Sequence, residues 1–256
     1  MARAPSLNAA PRSKVESWMN AAPGGAAMNP AEVHVWRFPL GDSGRAGSVT
    51  NLSDDERARA GEMKSQAVRQ SYAHAQSALR EVLSGYTRTN PRSIELMREP
   101  RGKPTLASPM NSLQFNVSHS GDWGLVAVAR FPVGVDVERI RTQCATPALA
   151  NRFLTRGERD LVEARQQSLG EAAFFSIWCR KEAYLKAVGF GLSAPFSEVD
   201  SSGERLPNLD EHGRQIHGAT PWAIEEFFVD DRHPAAVVAR APQLSLHFFT
   251  LRGPDL

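Results

Sequence analysis

The stretch VGVDVE, Val133 to Glu138, decides the fold. On a strand, side chains alternate in direction, so Asp136 and Glu138 share one face while Val133, Val135 and Val137 share the other. Some forty residues on comes WCRKEAYLK, Trp178 to Lys186. There, helical spacing aligns Trp178, Glu182 and Lys186 on one stripe. Laid over the strand, that stripe gathers three carboxylates and one ammonium. Three close anions repel, and a hard cation such as Mg²⁺, bound through carboxylate oxygens with positions left for water and substrate phosphate, relieves them. Asp136, Glu138 and Glu182 are therefore candidate metal ligands.

Two rival readings exist for these residues. A purely structural ion network would leave the carboxylates undercompensated by the single Lys186. A metal-dependent nuclease would set its last acid and lysine two apart on a strand, whereas here they stand four apart, which aligns them only on a helix.

Upstream, LQFNVSHSG (Leu113 to Gly121) reads as a strand with Leu113, Phe115 and Val117 on one face and Gln114, Asn116 and Ser118 on the other. His119 ends it beside a Ser-Gly turn, where an imidazole and a polar face can bond phosphate oxygens. WGLVAVAR (Trp123 to Arg130) reads as its antiparallel partner, so that His119 and Asp136 come into the same sheet. REPRGKP, Arg98 to Pro104, sets three cations around a glycine and a proline. Such a loop either wraps an anion with its amides and cations or forms an exposed hairpin.

The remaining chain fills in around these motifs. VHVWRF (Val33 to Phe38) is a first strand. Ser53 before Asp54, Asp55 and Glu56 caps a helix, and a longer helix from about Gln66 to Tyr86 carries Val68, Tyr72, Ala75, Leu79, Val82 and Leu83 as an apolar stripe. Arg69 and Arg80 fall off that stripe and read as solvated. A short strand follows at Ser93 to Met97. Thr155 and Glu158 form a capping box, Gly170 precedes the helix of Trp178 to Lys186, and Gly189 and Gly191 end it. Ser201 to Thr220 reads as a mobile insertion containing His212 and His217. Three last strands are Trp222 to Val229, Ala235 to Arg240 and Leu244 to Leu251. The result is an α+β fold of two lobes, 32–131 and 132–256, behind a disordered extension over 1–31.

Composition narrows the class. The 256 residues carry a formal net charge of +2, which argues against a protein that coats nucleic acid. Cys144 and Cys179 are the two cysteines, without metal-type spacing, and suit a reducing, cytoplasmic setting. No GxSxG, HExxH or Walker loop is present, and GFGL (Gly189 to Leu192) follows a helix and so is no dinucleotide fingerprint. No stretch has the apolar length of a membrane span.

Taken in order, GKP, FNVSHSG, VGVDVE and WCRKEAYLK resemble the motifs of the larger, two-lobed 4′-phosphopantetheinyl transferases over about Ser53 to Leu192. The resemblance implies a pseudo-twofold pair of α+β lobes with coenzyme A in the cleft between them. It implies metal ligation of Mg²⁺, or Mn²⁺, by Asp136, Glu138 and Glu182, and nucleotide phosphates held by Arg98, Arg101, Gly102, Lys103 and Pro104. It further places Asn116, Ser118 and His119 beside the phosphates, Lys186 on the pyrophosphate, and Arg69 near the 3′-phosphate, with Arg59 or Lys64 as alternatives. Glu182, Lys186 and His119 would then carry catalysis, with Glu182 as base, directly or through a metal-bound water, for a serine of an apo acyl or peptidyl carrier protein. The implied enzyme is a monomeric transferase of the holo-acyl-carrier-protein synthase type, with no nucleic-acid or membrane partner. A coenzyme A-binding module without chemistry is the alternative.

Overall fold

The computed structural model describes residues 15, 17–22, 28–40, 49–107, 113–142, 144, 147–190, 196–210, 212–216 and 220–251. Its elements, in order, are β1 (Met19–Ala21), β2 (Glu32–Pro39), α1 (Asp54–Glu62), α2 (Gln66–Thr87), β3 (Leu96–Arg98), β4 (Pro104–Leu106), β5 (Gln114–Ser120), β6 (Trp123–Ala129) and β7 (Val133–Val137). There follow α3 (Pro147–Phe153), α4 (Arg156–Leu169), α5 (Ala172–Ala187), β8 (Arg205–Leu206), β9 (Asn208–Leu209), β10 (Gln215–Ile216), β11 (Trp222–Phe228), β12 (Pro234–Ala239) and β13 (Ser245–Leu251).

Local chemistry explains where the helices begin. Ser53 Oγ accepts from Glu56 N at 3.2 Å while Glu56 accepts from Ser53 N at 2.9 Å, a reciprocal cap at the head of α1. Thr155 and Glu158 do the same for α4. Helix α2 turns Ala75, Leu79, Val82 and Leu83 onto Trp36, Phe115, Val126 and Val128.

Two sheets carry the α+β fold. The first has strand order β1-β13-β2-β6-β5 and the second β7-β12-β11-β8. Within them a pattern repeats. A first strand leads into helices, and a hairpin returns so that its second strand pairs antiparallel with that first strand, giving β2-β6-β5 in one lobe and β7-β12-β11 in the other. This duplication leaves no trace in residue identity.

The sheets share an apolar seam in which Val33, Val35, Leu125 and Ala127 meet Val133, Val135, Val137 and Val237. Each fully buried valine contributes about 1.5–3 kcal/mol, more than a typical hydrogen bond's net of about 1 kcal/mol, so this seam chiefly joins the lobes. Helix α5 covers the other face of the second sheet through Cys179, Ala183, Tyr184 and Leu185. It comes so close that a Cβ on Gly134 would lie 2.1 Å from Ala183 O and 2.5 Å from Ala187 N.

Several expectations need correction. His119 and Asp136 lie on β5 and β7, in different sheets, because the chain crosses from one sheet to the next at Pro132. The lobe boundaries are not sequential, since β13 pairs in parallel with β2 of the first sheet. The extension is not wholly disordered. β1 adds to β13, and Trp18 packs on Phe227 and Phe248, because its indole finds apolar partners on both sheets. The strand expected at Ser93 to Met97 begins at Leu96, since Pro91–Ser93 forms a 3-10 turn capped by Asn90. Arg80 is 2 % exposed, not solvated, and pairs with Glu56 at 2.6 Å. The expected insertion is anchored: Ser201 is fully buried, bonding Glu158 through both its N–H and its hydroxyl, and β8 pairs with β11. Gly191 and His217 lie outside the described residues, and His212 is exposed.

Candidate active site between the two lobes

Three alternate residues of β5 reach across to β7. Asn116 Oδ1 accepts from Val135 N at 3.0 Å, Ser118 Oγ donates to Asp136 Oδ1 at 2.7 Å, and Ser120 Oγ donates to Glu138 Oε2 at 2.7 Å. Where the two sheets meet, side chains thus replace the backbone ladder. The period of two that alternates a strand's faces puts all three on one side. Ser120 was not singled out from sequence, although it continues the Asn116 and Ser118 register.

Helix α5 completes the site. Lys186 Nζ donates to Asp136 Oδ1 at 2.5 Å, to Ser118 Oγ at 2.9 Å and to Val135 O at 3.4 Å. Asp136 is 3 % exposed, and its Oδ2 is buried with no hydrogen-bond partner. Burial lowers the pKa of Lys186, but the Asp136 and Glu182 carboxylates outweigh it and leave that pKa raised. Burial, then Asp136 and Glu138, push Glu182 up from 4.5 to about 7, with Lys186 opposing. Glu138 is raised by burial and by Asp136. At the exposed end of β5, His119 is held below its ordinary pKa by the protein bulk around it and by the Lys186 ammonium.

The three carboxylates feel one another, yet among the described residues no three His, Cys, Asp or Glu side chains stand close enough to hold a metal. The expected ligand cluster is therefore not assembled. Asp136 Oδ1 is engaged by Lys186 and Ser118, and Glu138 Oε2 by Ser120. The donor chemistry still fits a hard cation, and the buried, partnerless Asp136 Oδ2 is the atom that most needs one.

The basic loop is a hairpin of β3 and β4 turning at Gly102, whose φ of 89° favours glycine. Arg98 closes it onto Gly102 O at 2.9 Å, and Arg101 lies over Phe190 at 4.2 Å. Lys103 does not point at the carboxylates. Its ammonium bonds Ala187 O at 3.1 Å and Val133 O at 3.3 Å, tying the hairpin to α5 and β7, and burial lowers its pKa. Pro104 and Arg98 line a pocket of about 200 Å³ together with Arg59, Tyr72 and Arg80. Arg69 lies outside that lining. It is exposed and bonds Met63 O at 2.9 Å, because its place on α2 carries it back toward the α1–α2 junction. Of Arg59, Lys64 and Arg69, the three cations considered for the 3′-phosphate, Arg59 is the one in the pocket.

Residues 132–238 match the model of the 4′-phosphopantetheinyl transferase superfamily, and residues 45–130 match that of the 4′-phosphopantetheinyl transferase N-terminal region. The chain is 33% identical over 211 residues to the 4′-phosphopantetheinyl transferase HetI of Nostoc sp., covering 80% of this chain and 86% of that protein. It is 29% identical over 235 residues to a phosphopantetheinyl transferase of Thraustochytrium sp., covering 81% and 78%. Similarity to the 4′-phosphopantetheinyl transferase Sfp of Bacillus subtilis is 28% over 165 residues, covering 64% and 71%.

Proposed function

Because the chain belongs to the 4′-phosphopantetheinyl transferase superfamily, we propose that it moves the 4′-phosphopantetheine group of coenzyme A onto a serine of an apo acyl or peptidyl carrier protein. The observation that carries this reading is the meeting of β5, β7 and α5 around Asp136, where strands of both sheets and a helix supply polar groups to one cluster. The reaction makes a bond from the serine Oγ to the β-phosphorus of coenzyme A. The bond from that phosphorus to the bridging oxygen breaks, and adenosine 3′,5′-bisphosphate leaves with the electron pair.

Each residue's task follows from its charge and place. Lys186 lies where its ammonium can meet negative charge growing on the bridging oxygen. His119, exposed near the end of β5, donates a hydrogen bond to a phosphate oxygen. Glu182, with a pKa near 7, takes the serine proton as the new bond forms. Ser118 and Ser120 orient Asp136 and Glu138. Arg98 and Arg59 supply cations for the 3′-phosphate end, Arg101 lies over Phe190, and Asn116 ties β5 to β7. Asp136, Glu138 and Glu182 are the residues that would hold Mg²⁺ or Mn²⁺. Such an ion would supply charge neutralisation to the pyrophosphate.

A carrier of the acyl type would make the enzyme a holo-acyl-carrier-protein synthase, while peptidyl carriers would give it a broader role. A monomer suffices, since β5, β7 and α5 of one chain supply the whole cluster around Asp136, and a cytoplasmic setting suits the reaction. Among the described residues no helix is long and apolar enough to cross a membrane. Chromatographic detection of adenosine 3′,5′-bisphosphate tests the reading. Release that requires both apo carrier and coenzyme A supports it, and release without any carrier would refute it.

A further inference from the structure

Past Glu138 two hairpin turns meet, one from each sheet. The turn from β5 to β6 carries Gly121 and Asp122, and the turn from β11 to β12 carries Asp230 to His233. Two backbone hydrogen bonds hold the second turn to the end of β7: Glu138 N donates to Pro234 O at 3.0 Å, and Ile140 N donates to Arg232 O at 2.9 Å. Between them the chain reaches back to the first sheet. Ser120 Oγ, which donates to Glu138 Oε2, also accepts from Arg139 N at 3.1 Å. Glu138 is thus fixed by its backbone to one hairpin and by its side chain to the other. The direction of its carboxylate depends on how the two turns sit against each other.

One carboxylate joins those turns. Asp230 Oδ2 accepts from Trp123 Nε1 of β6 at 2.7 Å, while Oδ1 accepts from Arg232 N at 2.8 Å and bonds His233 Nδ1 at 2.7 Å. Burial raises the Asp230 pKa, but the bonds from His233, Arg232 and Trp123 outweigh it and leave that pKa below the usual carboxylate value. The group is a charged acceptor, and one of its donors comes from the opposite sheet. His233 is 2 % exposed, and its Nε2 finds no hydrogen-bond partner among the described residues. The ring serves as a wedge. A Cβ on Gly121 would lie 2.9 Å from that Nε2 and 2.6 Å from Arg139 Cδ, and the Gly121 φ of 59° also favours glycine. The first turn therefore closes directly on the imidazole that Asp230 orients.

We propose that Asp230 and His233 are positioning residues for the transfer: they lock the two turns together and so aim the Glu138 carboxylate at a cation. The inference rests on the reading of Glu138 as one of the residues that would hold Mg²⁺ or Mn²⁺. Asp230 acts through Trp123 and His233 on the turn that follows Ser120, and Ser120 is the hydrogen-bond donor to Glu138 Oε2. Replacing hydrogen-bonded residues behind a metal ligand typically costs about 10- to 100-fold in metal affinity.

The test is Mn²⁺ titration of the full chain, read by loss of the free-ion electron paramagnetic resonance signal, alongside the Mg²⁺ dependence of transfer to apo acyl carrier protein. Asp230→Asn should weaken Mn²⁺ binding about tenfold or more and raise the half-saturating Mg²⁺ by a similar factor. The kcat at saturating Mg²⁺ and the KM for the carrier should stay close to the parent's. His233→Ala should do the same, whereas His233→Asn, whose amide N–H can stand where Nδ1–H stands, should recover most of the loss. The two His233 variants decide the matter even where Asp230→Asn does not fold. A lowered melting temperature with parental Mn²⁺ affinity in Asp230→Asn and His233→Ala would overturn the proposal, leaving both residues a structural role alone. Equal defects in His233→Ala and His233→Asn would overturn it as well. A parent chain that binds Mn²⁺ yet modifies no carrier would refute the transferase reading, while the Mn²⁺ affinities of the variants would still judge the positioning role.

Discussion

Lys186 Nζ, near the end of α5, and Asp136 Oδ1, on β7, lie 2.5 Å apart, and both bond the Ser118 hydroxyl of β5. One ion pair thus pins a helix and a strand of the second lobe to a strand of the first.

Replacing Lys186 by Met removes the counter-charge of a carboxylate that is 3 % exposed. Breaking a buried pair costs about 3–5 kcal/mol, and the lower end applies because the Lys186 side chain is 25% exposed. Urea unfolding should therefore show a loss of about 3 kcal/mol. Transfer activity should fall by roughly two to three orders of magnitude, the scale of losing one transition-state charge contact. Near-parental stability would mean that the pair does not hold the site.

The raised pKa of Glu182 has a definite sign in stability. The folded state holds this proton more tightly than the unfolded state, so stability is lost as pH climbs from 4.5 to about 7. In metal-free protein the loss should be about 2 kcal/mol after allowing for partial solvation. Glu182→Gln should abolish that slope and leave the variant the more stable at pH 8. Chemical denaturation across this pH range checks it, and parallel profiles for the two proteins would contradict it.

Gly134→Ala should push α5 off β7, since its Cβ would meet helix backbone at 2.1 Å, where no side chain can yield. Overpacking of this kind costs about 3 kcal/mol or more. Melting temperature and activity should fall together because Glu182 and Lys186 ride on the displaced helix. A variant with the parent's melting temperature would show that α5 is not so tightly seated.

Asn116→Ala would orphan Val135 N, which donates to Asn116 Oδ1 at 3.0 Å in the seam between the sheets. A buried donor without a partner costs about 1–3 kcal/mol. Hydrogen exchange should show faster exchange at the Val135 amide than in the parent. Unchanged protection there would mean that the hydrogen bond is dispensable.

Deleting residues 1–22 would strip β1 from β13 and Trp18 from Phe227, Phe248 and the Arg37 guanidinium. Loss of a half-buried indole should cost about 2 kcal/mol. The urea midpoint should drop accordingly, and an unmoved midpoint would identify the segment as a loose tail.

Much of this architecture was legible because it follows from local periodicity. The alternation of Val133 to Glu138, the caps at Ser53 and Thr155 and the stripe of Trp178, Glu182 and Lys186 are properties of neighbouring residues. What was illegible is set by distant partners. Nothing near Arg80 announces that Glu56 and the carbonyls of Pro91 and Ile94 await its guanidinium. Lys103 reads as a phosphate ligand until the carbonyls of Val133 and Ala187 are brought to it by the fold. The crossing of β13 into the first sheet and the use of Trp18 are likewise long-range. Ser120 is the instructive miss, since a register already traced through Asn116 and Ser118 reaches it in one more step.

The most direct test of the account is intact-protein mass spectrometry of an apo carrier protein incubated with this chain, coenzyme A and Mg²⁺. The predicted result is a gain of one phosphopantetheine on the carrier, abolished by chelator and by Asp136→Ala. No gain on any acyl or peptidyl carrier, or a gain indifferent to chelator and to Asp136→Ala, would contradict it.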